Sequence, residues 1–554
     1  MGSEMCIRDS DKPALTVGVA LIRLLERLGV EHVFGIPGVH TIELYRGLAA
    51  SSVQHHTPRH EQGAGFMADG YARVSGKPGV CFVITGPGLT NIVTPMGQAL
   101  ADSIPMLVIS SVNDTLCTPH ARGMLHEMPN QMAMASEVTR FSQTISQANE
   151  LPDALARAFS VFTSARPGPV HLQLPVSLLG SEADQSLTAV VHQLPSKPTA
   201  PDESIQAAAA LLEQSDKPLI LTGGGASACA KEIKSLAEKI DAPVHMTINS
   251  RGLMSYTHDL AVPATCTLPS VRKAVNEADV VLAIGTELAA TDYDQYKDGG
   301  FHIDGQLIRC DIDPMQLNNN FVSHLGLVGD AGATAAALCD CVKARSDGDG
   351  RLRAKNTMNA AYKELDAAAQ RHIQLLETLR DKIPGCLMVG DSTQLVYSGN
   401  MIFNTDKPHQ WFNSSTGFGT LGYALPAATG AAIAAKDTSR NTSADTPVVC
   451  LIGDGGIQFV LGELGALKDT GLAVAVVVWC NNGYREIKTS MESARVETVG
   501  VEFSVPDFLA VASAYGIKAV RAEDENSLCN EIVQCYEQGE AVVIEINEEV
   551  FMAP

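Results

Sequence analysis

Short unbroken apolar runs recur along the chain, separated by stretches in which apolar residues return every three or four positions. The first pattern predicts buried strands and the second amphipathic helices. From about Ala14 to Leu179 the runs fall at Val33 to Ile36, Val80 to Ile84, Met106 to Ile109 and Val170 to Leu174, alternating with helical stretches, so a parallel α/β sheet is expected. A polar stretch from Gly180 to Glu203, with Pro195, Pro198 and Pro201, interrupts the pattern and predicts a linker. The alternation resumes with runs at Pro218 to Leu221, Val280 to Ile284 and Leu307 to Asp311, then fades into the charged segment Ser346 to Arg351, which predicts a second linker. A third unit carries runs at Leu387 to Gly390, Val448 to Ile452 and Val474 to Trp479. Three open α/β domains follow as the expectation, at 11–180, 200–345 and 360–550.

Composition narrows the function. A chain of 554 residues, 45% hydrophobic and 18% charged, has apolar material for several cores. Its net charge of −22 and lack of a basic stretch argue against nucleic acid as a partner. No window approaches 18 uninterrupted apolar residues and the first ten lack the layout of a secretory signal, so a cytoplasmic protein without a membrane partner is expected. The opening Met1 to Ser10 has no periodicity and looks like a cloning scar. The 13 cysteines form no CxxC pair, and Cys81, Cys310 and Cys450 sit in apolar runs, as reduced core residues would.

The densest chemistry lies between Pro447 and Asn482. An apolar run leads into Gly453-Asp454-Gly455-Gly456, a helical stretch places Ile457, Val460, Leu464 and Leu467 on one face before Gly471, and a second run ends in Cys480-Asn481-Asn482-Gly483. A strand, crossover helix, strand unit makes the two strands parallel, which puts Asp454 and Asn481 at carboxyl ends of one sheet, where ligands of such folds bind. A carboxylate, an amide oxygen and a backbone carbonyl are hard ligands suited to Mg²⁺. The glycines after Asp454 allow close backbone approach, and the following helix start offers free N–H groups to a diphosphate. Gly-Asp-Gly alone describes an ordinary strand-to-helix turn; the paired asparagines one crossover later change its meaning.

This stretch resembles the thiamine diphosphate motif. In the first unit, Pro58-Arg59-His60-Glu61 precedes a helix of small residues, and Thr85-Gly86-Pro87-Gly88-Leu89-Thr90-Asn91 follows. Both resemble the activating-glutamate region of the acetohydroxyacid synthase and 2-oxo-acid decarboxylase family, and the likeness covers nearly all of residues 14 to 550. It implies a pyrimidine, a central Rossmann-like and a diphosphate domain, in that order. It implies Glu61 as the acid on the pyrimidine ring of thiamine diphosphate, and Mg²⁺ held by Asp454, Asn481 and the carbonyl of Gly483. Cys480 stands where the family usually has the first asparagine. Gly417 to Tyr423 resembles the segment that holds the cofactor bent, with the carbonyl of Gly419 and the N–H and side chain of Leu421 in contact. Gly88, Asn91, Ser392, Thr393, Gly455, Gly456 and Tyr484 complete the implied cofactor contacts.

Around the reacting carbon the resemblance places His40, His126 and Glu127 as candidate catalytic groups; Val39 stands where simple pyruvate decarboxylases carry an aspartate. Leu125 to Gln131, Thr291 to Asp294 and Tyr484 to Lys488 look most like 5-guanidino-2-oxopentanoate decarboxylases, with acetolactate synthase large subunits as the alternative. Glu127, Glu486 and Asp294 are the acids that could face a guanidinium. Gly223 to Ala228 forms a loose GxGxxA after a strand. The further segments of flavin-carrying synthases find no match in Thr257 to Ser270, so FAD is not expected, while Asp311 and Asp313 leave ADP-like binding open. In this family the cofactor lies between subunits, so a homodimer or homotetramer acting on a small 2-oxo acid is implied. A protein that reuses these domains for nucleotides, without thiamine, is the remote alternative.

Overall fold

The unbroken apolar runs are strands buried on both faces, as parallel sheets covered by helices require. The computed structural model describes residues 15–114, 122–189, 193–293, 300–442 and 446–552. The first sheet contains β1 (His32–Gly35), β2 (Gln54–His56), β3 (Gly79–Val83), β4 (Met106–Val112), β5 (Phe141–Thr144) and β6 (Pro169–Pro175). The second contains β7 (Pro218–Thr222), β8 (Val244–Met246), β9 (Ala261–Val262), β10 (Val280–Ile284), β11 (Gln306–Asp311) and β12 (Leu325–Val328). The third contains β13 (Leu387–Gly390), β14 (Trp411–Asn413), β15 (Val448–Gly453), β16 (Ala475–Cys480), β17 (Lys518–Ala522) and β18 (Val542–Asn547).

All named strand pairs are parallel, and the fold is three six-stranded α/β sheets. The first sheet runs β2-β1-β3-β4-β6-β5 and the third β14-β13-β15-β16-β18-β17, so the outer domains share one topology. Cys81, Cys310 and Cys450 are buried and free on β3, β11 and β15. Among the described residues no helix is long and apolar enough to cross a membrane.

The helices that frame the strand ends are α1 (Glu61–Ser75), α2 (Pro87–Ala101), α3 (Gln394–Ile402), α4 (Ala424–Thr442), α5 (Asp454–Ile457), α6 (Glu463–Thr470) and α7 (Arg485–Ser493). The single helix expected after Gly456 is two: α5 stops at Ile457, and the chain passes through turns closed by Phe459 N–H to the Gly456 carbonyl and Val460 N–H to the Ile457 carbonyl before α6. Glycines 455, 456 and 462 are poor helix formers, which accounts for the break. The apolar face survives it, since Ile457, Val460, Leu464 and Leu467 are all buried, and Gly471 ends α6 at φ 62°. Ser346 to Arg351 is also not wholly a linker. A helix starts at Gly350, whose N–H donates to Asp241 Oδ2 at 2.8 Å.

Helices α1 and α4 occupy equivalent places in the two outer domains and cross at backbone contact. A Cβ on Gly70 would stand 2.0 Å from the Ala427 carbonyl oxygen, and one on Gly430 1.9 Å from that of Met67. Beside this crossing a buried polar network joins all three domains. Arg73 Nε donates to Asp69 Oδ1 at 2.6 Å, its Nη2 to Asp102 Oδ2 at 2.7 Å and its Nη1 to Asn249 Oδ1 at 3.2 Å. Tyr423 donates its hydroxyl to Asp69 Oδ1, and Thr416 donates to Asp102 Oδ2. Burial raises the Asp69 carboxyl above its ordinary range, with Arg73 opposing it. Tyr423→Phe is therefore expected to cost about 1–3 kcal/mol, because it removes a donor from a buried acid. A lower urea midpoint at unchanged slope would record it.

Candidate active site

Strands β15 and β16 pair in parallel with Gly453 opposite Trp479, so Asp454 and Asn481 leave the sheet side by side at its carboxyl end. Asp454 is 1% exposed, and its Oδ1 accepts from Gly455 N–H at 2.9 Å while Oδ2 accepts from Asn481 N–H at 3.2 Å and Asn482 N–H at 2.7 Å. Burial raises its pKa and these backbone donors work against that. Converging amides thus fix the carboxylate beside the partly buried Asn481. Gly483 has φ 137°, and a Cβ there would lie 2.2 Å from the Val501 carbonyl, so the loop can close on Val501 only with glycine. Tyr484 covers Gly455, where a Cβ would meet its ring at 2.8 Å, and meets the Phe503 ring at a tilt of 58°, 4.7 Å between centroids. Asn481 to Arg485, Lys488, Val501 to Phe503 and Glu549 line a cavity of about 380 Å³.

The diphosphate-side loops meet behind Gly456. Asp391, fully buried, accepts from Ser392 N–H at 2.8 Å and Ala424 N–H at 3.3 Å, and a Cβ on Gly456 would lie 3.2 Å from its carboxylate. Burial lifts Asp391 to about 6, with those backbone donors pulling the other way. It ties the Ser392–Thr393 turn, the start of α4 and the glycines after Asp454 into one unit. The Asp itself carries no periodic signal, though its place between a strand end and a Ser-Thr pair could have marked it. Thr393 caps α3 without a side-chain cap bond, and its Oγ1 lies 3.0 Å from a Cβ built on Gly453. Gly417, Phe418 and Gly419 are exposed, Gly419 at φ 71°; Leu421 is half-buried, and Gly422 (φ 78°) packs on Phe459.

Glu61 opens α1 with His60 as N-cap, whose Nδ1 accepts from Gln62 N–H at 3.1 Å. The Glu61 side chain is buried, and Asn91 Nδ2 on α2 donates to its Oε2 at 3.0 Å. Gly88, earlier on α2, packs against Ile84. Gly86, at φ 68°, presses on the His126 carbonyl, 2.4 Å from a built Cβ, and its N–H donates to Gln131 Oε1 at 3.0 Å. His126 itself has φ 62°, an uncommon conformation for a non-glycine residue. Its ring meets His40 edge-on at 5.6 Å. Burial and His126 lower the His40 pKa, with Asp114 acting against them. Glu127 accepts from the N–H groups of Arg122 and Met124, so its carboxylate holds its own turn. Glu486 accepts from Gln394 Nε2 at 3.0 Å, and Asp294 lies outside the described residues.

One chain thus gathers the candidates into two clusters. Asp454, Asn481, Gly483, Tyr484, Gly455, Gly456, Ser392 and Thr393 assemble at the third sheet, and Glu61, Asn91, Gly88, His40 and His126 around the first. The contacts of the turn before Glu61 run instead to residues 462–469: Arg59 and His60 donate to Glu463, and Arg59 pairs with Asp469 at 2.5 Å.

A fit to a metal-bridged diphosphate is visible in the donor set: a buried carboxylate held only by backbone N–H groups among its described partners, an adjacent amide, and two glycines that present bare backbone beside it. Three doubly wound domains with such strand-end turns define a multidomain α/β enzyme built around a phosphate-bearing cofactor. Family models make this specific. The thiamine pyrophosphate enzyme N-terminal TPP binding domain matches residues 15–134, the central domain residues 205–338 and the C-terminal TPP binding domain residues 391–546. The chain belongs to the thiamine pyrophosphate enzyme family and is a thiamine diphosphate-dependent enzyme.

Its relatives match over most of its length. A protein of Pseudomonas aeruginosa named probable 2-ketoarginine decarboxylase is 40% identical over 541 residues, 96% of this chain and 94% of its own length. An acetolactate synthase large subunit of Parasynechococcus marenigrum is 29% identical, covering 97% and 88%, and an acetolactate synthase of Arthrospira platensis 30%, covering 91% and 89%.

Proposed function

We propose that the protein is a Mg²⁺-dependent decarboxylase of 5-guanidino-2-oxopentanoate or a close analogue, releasing CO₂ and the aldehyde. The observation that carries this reading is the buried Asp454 carboxylate beside Asn481 at one parallel strand end, in a chain 40% identical to a relative named for 2-ketoarginine decarboxylation. Bound thiamine diphosphate supplies a nucleophilic carbon for the 2-oxo carbonyl and an electron sink for the departing carboxylate.

The protein's part is positional and electrostatic. Asp454, Asn481 and the Gly483 carbonyl would hold Mg²⁺, with Gly455, Gly456, Ser392 and Thr393 available to the diphosphate and Tyr484 beside them. Glu61, oriented by Asn91, would hold a proton for the pyrimidine ring from a buried site; Gly88 keeps α2 close, and Gly419 and Leu421 would contact the cofactor. His40, largely neutral near pH 7 because its pKa is lowered, and His126 handle the proton that replaces CO₂. Glu127 shapes the turn presenting His126, and Glu486 offers a charge to a guanidinium.

Domain limits at 11–180, 200–345 and 360–550 serve this arrangement, with the Glu61 cluster of one subunit facing the Asp454 cluster of another in a homodimer or homotetramer. A second reading, acetolactate synthase-like carboligation, is favoured by the relatives at 29–30% identity. A panel of 2-oxo acids assayed for CO₂, aldehyde and acetolactate, with and without Mg²⁺, separates the two. The guanidino acid is expected to give the aldehyde; pyruvate going to acetolactate without aldehyde would establish the synthase instead.

A further inference from the structure

Glu463 is an acid with no role in the chemistry described so far, yet it is 1% exposed and sits between two domains. Its Oε1 accepts from the backbone N–H of Arg59 at 3.0 Å and of His60 at 3.0 Å, while Oε2 is buried without a partner among the described residues. A Cβ on Gly63 would stand 2.4–2.8 Å from the Glu463 carboxylate, so α1 keeps a glycine where the acid reaches in. Arg59 reaches back over α6, its Nε 3.2 Å from a Cβ built on Gly465, and its guanidinium pairs with Asp469.

A buried carboxylate is costly, and a surface-facing glutamine or serine could cap two amides more cheaply. What this acid accomplishes is to fix the two peptide units immediately before Glu61. His60 is extended, at φ −149° and ψ 148°, and its own side chain caps Gln62 N–H, so the direction in which Glu61 leaves the turn depends on those two held amides. Asn91 fixes the other end of the same side chain. Burial lifts the Glu463 carboxyl to about 7, with the Arg59 and His60 amides and the Arg59 charge opposing; near neutrality its accepting oxygen therefore serves the amides in either protonation state.

We propose that Glu463 is a positioning residue for Glu61, acting as a hydrogen-bond acceptor that sets the backbone entering α1. This rests on Glu61 being the acid at the pyrimidine ring. Two readouts test it, one of them without cofactor. In the cofactor-free protein, hydrogen exchange at the Arg59 and His60 amides should quicken by about tenfold or more in Glu463→Ala, the consequence of losing a bond of ordinary net strength. In the loaded enzyme kcat should fall about 100-fold, the size of effect a misplaced catalytic group produces, with KM for the 2-oxo acid within about threefold of wild type. Glu463→Gln keeps an acceptor oxygen of the same reach and should restore slow exchange and most of kcat.

Gly63→Ala removes nothing and improves helix propensity, yet drives a methyl into the carboxylate, so it should reproduce both defects and decides the matter if Glu463→Ala does not fold. Wild-type kcat in a variant whose two amides exchange fast, or a Glu463→Gln protein as impaired as Glu463→Ala, would overturn the positioning role. A wild-type protein without thiamine diphosphate-dependent turnover would instead sink the reading it rests on.

Discussion

Replacing Glu61 by glutamine is expected to lower kcat by about 10²–10⁴-fold, the range for loss of a positioned acid, while cofactor affinity stays within about tenfold of wild type. The substitution preserves shape: the new amide oxygen can still accept from Asn91 Nδ2, which lies 3.0 Å from Glu61 Oε2. What it cannot do is share a proton with a ring nitrogen. The defect should therefore lie in turnover, and proton-deuterium exchange at C2 of the bound cofactor should slow alongside kcat. Normal exchange in that variant would remove Glu61 from the chemistry.

Asp454→Asn should act on binding. The carboxylate accepts from three backbone N–H groups on its two oxygens, so an amide there loses the charge and must turn its NH₂ toward at least one of those donors. Removing an outer partner of a metal ligand costs 10- to 100-fold in metal affinity, and loss of a direct ligand should exceed about 100-fold. Titration with Mg²⁺ at fixed thiamine diphosphate, followed by calorimetry, reads this directly, and excess Mg²⁺ should recover part of the activity. A variant with an unaltered Mg²⁺ requirement would place the cation elsewhere.

The parts of the fold legible in the sequence are those where burial leaves an apolar run. The Val448 to Ile452 run is a central strand covered on both faces, and no polar position interrupts it. Gln54–His56, Phe141–Thr144 and Lys518–Ala522 are edge strands, partly exposed and polar, and a pattern argument has nothing to grip there. Val542–Asn547 does carry an apolar run and was there to be found. In the candidate site, Asp454 and Asn481 were legible because their spacing spans one crossover unit. Glu463 was not, and Asp391 only by its place between a strand end and a Ser-Thr pair: each looks like an acid at a helix start or turn, and only the fold shows that one meets amides about 400 residues away and the other a second glycine loop.

Where α1 and α4 touch, peptide groups rest on one another with no layer of flexible side chains between them. Interdigitated side chains can re-sort their rotamers and let helices slide; bare backbone against bare backbone has no such freedom. The two outer domains of a chain therefore move as one stiff block. Admission and release of small molecules fall to the strand-end loops, the places where a stiffening or loosening substitution would change the rhythm of turnover without touching a reacting atom.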